Sequence, residues 1–132
     1  MYSESQNGKK NLLVICHSYR SFQKSYIEGV SPFFQEITAL VRTNPIAEMS
    51  NILPISHLER AKKSYKIEIS NKPENVYVNT TPIWYFPWDR GYRSLGNKHF
   101  NAVMNVIKQQ QLDFSLIHSH FTWSAGYAGA RL

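Results

Sequence analysis

Asp113-Phe-Ser-Leu-Ile-His-Ser-His-Phe-Thr-Trp-Ser-Ala-Gly-Tyr-Ala-Gly-Ala-Arg-Leu132 is the stretch whose reading decides the fold. It opens with a short apolar run, read as a buried strand from Phe114 to His118. Two histidines, His118 and His120, follow at a polar tip, and a helix of small residues begins near Ser124. Strand, polar tip and helix form the unit of an open α/β sheet, which places its chemistry outside the carboxyl ends of its strands. The helix reaches Leu132 without a stop signal of its own, so the domain is expected to be incomplete within this sequence.

Working outward from that stretch, a helix precedes it: Phe100, Val103, Met104 and Ile107 share one face, ending near Gln110. Before the helix lies an aromatic segment from Thr81 to Tyr92, and before that Asn75-Val-Tyr-Val-Asn79, a strand with Val76 and Val78 on one face. Residues 46–72 are harder to read. Ile52-Leu53-Pro54-Ile55 is a short strand candidate, His57 to Lys63 a helical turn or two, and Tyr65 to Ile69 alternates as a half-buried strand does. At the other end, Asn11-Leu-Leu-Val-Ile-Cys-His17 is a continuous aliphatic run, as expected for a central parallel strand covered on both faces. Ser18 to Gly29 reads as a polar loop. Ser31-Pro32 supplies an N-cap and a first-turn proline, and Phe33, Ile37, Leu40 and Val41 share a helical face, predicting a helix to Arg42 that Asn44-Pro45 ends.

The order is β-α-(mixed)-β-α-β-α with no repeat and no interdomain linker. This predicts an α/β, Rossmann-like, doubly wound and mostly parallel sheet. Residues 1–10 are read as a disordered polar arm and residues 11–132 as one incomplete domain. With 42% hydrophobic and 18% charged residues the chain is globular rather than disordered. Its net charge of +6 favours partners that carry negative charge: a phosphate-bearing ligand or an anionic membrane surface. The basic residues form only short doublets, Lys9-Lys10 and Lys62-Lys63, so nucleic acid is not the expected partner. One cysteine excludes an internal disulfide and suits a reducing compartment. The apolar run from Leu12 to Cys16 is too short for a signal-peptide core or a membrane span, so a cytoplasmic protein is expected.

Chemistry concentrates at the strand tips. His120, in the loop beyond the last strand, can act as a general base or bond a sugar hydroxyl; its plainer reading is a packed loop residue. For His118 the alternatives are substrate contact and a structural bond at the strand end. A metal shared by the two would need a third protein ligand, yet no His, Asp or Glu follows within ten residues of His120, so no metal is expected. Ser18, Arg20 and Lys24 sit where a first β-α turn meets an anion. A phosphatase-type loop is excluded because Cys16 and Arg20 stand too close, and the absent Gly-x-Gly-x-x-Gly argues against a self-contained dinucleotide site. In the aromatic segment, Trp84 and Phe86 are read first as covering the core. Trp88 and Tyr92, beside Asp89 and Arg90, are candidates for stacking on a ligand or partner.

Three stretches together give the chain its family likeness: Asn11–Ser18 running through Gly29 to Ala39-Leu40; Val76-Tyr-Val with Thr81-Pro82 to Phe86-Pro87; and above all Asp113–Gly129, which resembles an Asp-x-Ile-His-x-His segment before a Gly-rich helix start. In these the chain resembles the N-terminal half of a family 4 glycosyltransferase of the GT-B fold. The resemblance implies a retaining enzyme that moves a hexose from a nucleoside-diphosphate sugar to a lipid-linked or polysaccharide acceptor. This half would hold the acceptor, and a missing C-terminal Rossmann-like domain would hold most of the donor. It implies His120 near the transferred sugar and the Ser18–Gly29 loop, Gly29 included, near the donor pyrophosphate. The family's glycine pair is reduced here to one glycine. No cofactor is implied, the partners being donor, acceptor and the second domain; the +6 charge fits peripheral contact at the inner face of the membrane. A stand-alone α/β domain for an anionic partner is the alternative, and this half by itself is expected to be inactive.

Overall fold

In a computed structural model, residues 8, 10–49, 62–85, 91 and 93–132 are described. Four parallel strands form one sheet: β1 Leu12–Cys16, β2 Ile37–Thr43, β3 Val76–Pro82 and β4 Leu116–Ser119, in the order β3-β2-β1-β4. Helices flank it: α1 Ser21–Val30, a short α2 Pro45–Glu48, a single turn α3 Lys63–Lys66, α4 Leu95–Gln110, and α5 Tyr127–Ala130 after a wide turn at Thr122–Gly126. The sheet is α/β and parallel throughout, as a doubly wound Rossmann-like fold requires.

Burial alternates along the strands and explains why β1 has no polar face. Leu12, Val14 and Cys16 point to one side, with Ile37, Ala39 and Val41 of β2, and meet Ile27 of α1. Leu13, Ile15 and Leu40 point to the other and meet Val103 of α4 and Ala125 and Ala128 of the C-terminal segment. A strand covered on both faces reads as an unbroken aliphatic run. Val14 of β1 stands opposite His118 of β4, so His118 and, two residues on, His120 look toward the α1 side.

Three expectations are corrected. The Ser18–Gly29 segment is no loop, because Ser21–Val30 is α1, with Gln23 and Ile27 buried on its inner face. The predicted helix to Arg42 is instead β2, preceded by a 3-10 turn at Ser31–Phe33. Ser31 does not start a helix; its hydroxyl donates to the Glu28 carbonyl at 2.8 Å and closes α1. Asn44-Pro45 likewise starts an element rather than ending one, the Ile46 N–H donating to Asn44 Oδ1 at 3.1 Å. The Tyr65–Ile69 strand is reduced to one bridge between Ile67 and Tyr19, following the helical turn α3. The strand candidate at Ile52–Ile55 and most of the turn at His57–Lys63 lie outside the described residues, as does the N-terminal arm apart from Gly8 and Lys10.

Candidate functional site

The chain walks from β1 to β2 to β3 in one direction and returns to place β4 on the other side of β1. After β1 it enters α1 on one face; after β4 it enters a turn packed on the other face. The two exits diverge, and such a switch point opens a crevice at the carboxyl ends of β1 and β4. His17 and Ser18 leave β1 there. His120 leaves β4, held by its N–H, which donates to the Ile15 carbonyl at 2.9 Å.

The side chains above the crevice stack on one another. His118 lies on the Tyr26 ring with centroids 4.8 Å apart, and its Nδ1 is 3.5 Å from the Tyr26 hydroxyl. His120 stands edge-on to His118 at 4.7 Å, to Tyr26 at 5.2 Å and to Phe22 at 6.0 Å. Phe121 stacks on His17 at 5.6 Å. His120 is only 6% exposed, and its Nε2 has no hydrogen-bond partner. A buried polar atom left unbonded costs free energy, and such atoms concentrate where a ligand completes the set. Burial first, and the neighbouring His118 second, lower the His120 pKa and hold the ring neutral.

Beside this stack lies a cavity of about 510 Å³ whose lining includes His17, Ser18, Arg20, Phe22, Lys66 and Phe121. His17, not His120, is the imidazole on its wall. Burial and then the charges of Arg42 and Lys66 bring the His17 pKa down to about 4, and its Nδ1 is buried without a bond. Lys66 is 9% exposed; its Nζ donates to the Arg42 carbonyl at 2.8 Å, and it pairs with no carboxylate among the described residues. Its pKa falls to about 8, through burial and then through Arg42. Arg20 lies over the Tyr65 ring at 4.8 Å and donates to the Tyr65 carbonyl at 3.1 Å, with Glu68 4.0 Å away.

A second layer supports this wall. Arg42, at the end of β2, donates to Ser124 Oγ at 2.6 Å, and Ser124 Oγ is 3.0 Å from Nδ1 of the fully buried His99. Burial, followed by the charge of Arg42, drives the His99 pKa down to about 3. Backbone strain gathers around these residues: Ser21, Phe121 and Ser124 have φ of 50°, 67° and 30°. Left-handed φ on non-glycine residues persists only when the surroundings enforce it, and it clusters at binding sites.

Of the residues expected at the site, Ser18 and Arg20 line the cavity, and His118 and His120 stand in the aromatic stack beside it. Lys24 does neither: its Nζ reaches the Ser70 carbonyl at 2.6 Å and Glu68 at 3.3 Å, and so ties α1 to the segment after α3. Gly29 lies in the last turn of α1, at the far end from Ser18, with ordinary backbone dihedrals. Trp88 and Tyr92 lie outside the described residues. Missed in the sequence were His17, Arg42, Lys66, His99 and Ser124. The signal for Arg42 is a lone charge next to the end of a β-branched and aliphatic run, Ile37–Thr43. Among the described residues no three His, Cys, Asp or Glu side chains are grouped as metal ligands.

No family model, curated protein or solved structure matches this chain.

Proposed function

We propose that this domain is the acceptor-side half of a retaining glycosyltransferase of the GT-B type, which moves a hexose from a nucleoside-diphosphate sugar to a lipid-linked or polysaccharide acceptor. The observation that carries the reading is the His118–His120 stack standing beside a cavity lined by Ser18 and Arg20, with Phe22 shared between them. Arg20 and Lys66 attract the diphosphate toward the start of α1, whose first backbone N–H groups have no partner within the helix. His120, neutral through burial, offers an unbonded Nε2 to a sugar hydroxyl, and His118 braces it from the β4 side through Tyr26. Ser18 adds a hydroxyl, and Phe22 and Phe121 wall the space against water. The second Rossmann-like domain supplies the rest of the donor site. The net charge of +6 suits work at an anionic membrane surface. No helix among the described residues is long and apolar enough to cross a membrane.

In the two-domain enzyme, His120→Ala should lower kcat about a hundredfold, the usual loss for one positioned polar or acid-base group. His17→Ala is the comparison: a loss confined to His17→Ala would move the role to the imidazole on the cavity wall. Normal turnover in both variants would remove the crevice from the chemistry. Transfer catalysed by these 132 residues alone would overturn the two-domain account.

The cationic lining of Arg20 and Lys66 also favours a second reading, a stand-alone α/β domain that binds an anionic partner through the same cavity. A coding sequence that continues into a second Rossmann-like domain supports the transferase; a stop after Leu132 supports the binding domain.

A further inference from the structure

At the sheet edge opposite β4, a groove of about 500 Å³ runs between the end of β3 and α4, its lining including Pro82, Trp84, Asn101, Asn105, Val106 and Gln109. Trp84 is 59% exposed, and its carbonyl is held by Lys98 Nζ at 3.0 Å. Asn101, Asn105 and Gln109 recur every fourth residue and so form one stripe along α4, each step rising roughly 6 Å, about the span of one sugar ring. All three are exposed, and none of their carboxamides makes a hydrogen bond among the described residues. The groove thus pairs a bare indole face with a ladder of neutral groups, each able both to donate and to accept. Among the described residues its lining contains no carboxylate, and the one cation there, Lys98, is already engaged.

That chemistry selects among partners. A phosphate backbone needs several lysines or arginines, and a protein hot spot centres on an apolar cluster; here the apolar lining of Pro82, Ile83, Trp84, Ala102 and Val106 is interleaved with the three carboxamides. A sugar ring offers an apolar face to stack on the indole and hydroxyls that match the carboxamides. We infer that this groove binds a neutral oligosaccharide, with one ring on Trp84 and the following rings along Asn101, Asn105 and Gln109. The site lies across the sheet from the β1–β4 crevice and stands or falls separately from it.

The test applies the intact chain to an immobilised array of neutral gluco-, galacto-, manno- and N-acetylhexosamine oligosaccharides, then titrates the best binder by calorimetry. Saturable binding is expected that is insensitive to salt and weakened at least about tenfold, or ~1.4 kcal/mol, in Trp84→Ala. Asn105→Leu, on the exposed helix face, repeats the measurement if Trp84→Ala is poorly folded, and circular dichroism checks both. Binding to no neutral saccharide, or binding unchanged in both variants, would overturn the inference. Salt-sensitive binding confined to anionic saccharides would overturn it too, since that pattern belongs to the cationic cavity.

Discussion

Ser124 joins two residues far apart in sequence: its hydroxyl accepts from Arg42 at 2.6 Å and lies 3.0 Å from His99. Ser124→Ala leaves a guanidinium donor and an imidazole to find new partners in a dry site. The expected loss is about 1–3 kcal/mol of stability, read as a lower Tm by calorimetry. His99 makes the same region sensitive to acid. Its pKa in the folded protein, about 3, lies below the ordinary 6.5, so the unfolded chain takes up the proton first. Stability is therefore complete above pH 6.5 and is lost progressively as pH falls toward 3. The slope from His99 alone is up to about 1.4 kcal/mol per pH unit. Thermal melts between pH 7 and 4 should show this decline, and His99→Asn should flatten it. Cys16 is fully buried, and burial pushes its thiol pKa up to about 12. It should resist a disulfide exchange reagent in the native protein and react once denatured, since only the thiolate attacks; fast native labelling would contradict the buried strand.

At the scale of elements, the contrast between β2 and α1 shows where pattern reading failed and why. Ile37, Leu40 and Val41 fit a helical face as well as a strand, because a strand buried on both sides has no alternation to reveal it. The β-branched residues Ile37, Thr38, Val41 and Thr43 were the better clue. In α1 the inner stripe is Gln23, Ile27 and Val30, too little apolar surface to stand out. Its aromatic residues, Phe22 and Tyr26, face the histidines instead. Strands β1 and β3 and helix α4 were legible because their apolar residues are unbroken or strongly periodic; the last strand, read as buried over Phe114–His118, is instead the edge strand Leu116–Ser119 with Leu116 and Ile117 exposed. The end of the chain depends on close approach. A Cβ on Gly129 of α5 would lie 2.1 Å from Ser119 Oγ of β4, and one on Gly126 would lie 2.7 Å from the Phe121 carbonyl oxygen. Gly126→Ala should thus push the Thr122–Gly126 turn off the Phe121 backbone and cost about 1–3 kcal/mol, as overpacking does, whereas Ser119 Oγ can turn away from a Cβ on Gly129. Denaturant unfolding checks this, with Ala130→Gly as an exposed control expected to cost about 1 kcal/mol or less.

For the whole molecule, the cavity by the crevice gathers Arg20 and Lys66 around His17 in a chain of net charge +6. Inorganic pyrophosphate should bind it measurably in low salt and weaken as salt rises, because part of the attraction is long-range and screened. Lys66→Met, which keeps the buried stem and removes the charge, should reduce that binding about tenfold or more, or ~1.4 kcal/mol. Unchanged binding in titration calorimetry would detach Lys66 from the anion. The sequence by itself determined the fold class, since aliphatic runs of strand length separated by helical segments leave a parallel doubly wound sheet as the way to bury them. It also determined that His118 stands at the end of the last strand and His120 just beyond it, because the apolar run that makes the strand stops there. Only the tertiary structure decided what stands beside them. Arg42, Lys66, His99 and Ser124 are brought together by the order β3-β2-β1-β4, which aligns the carboxyl ends of strands distant in the chain. No local pattern encodes that alignment, because it arises from burying both faces of β1 at once.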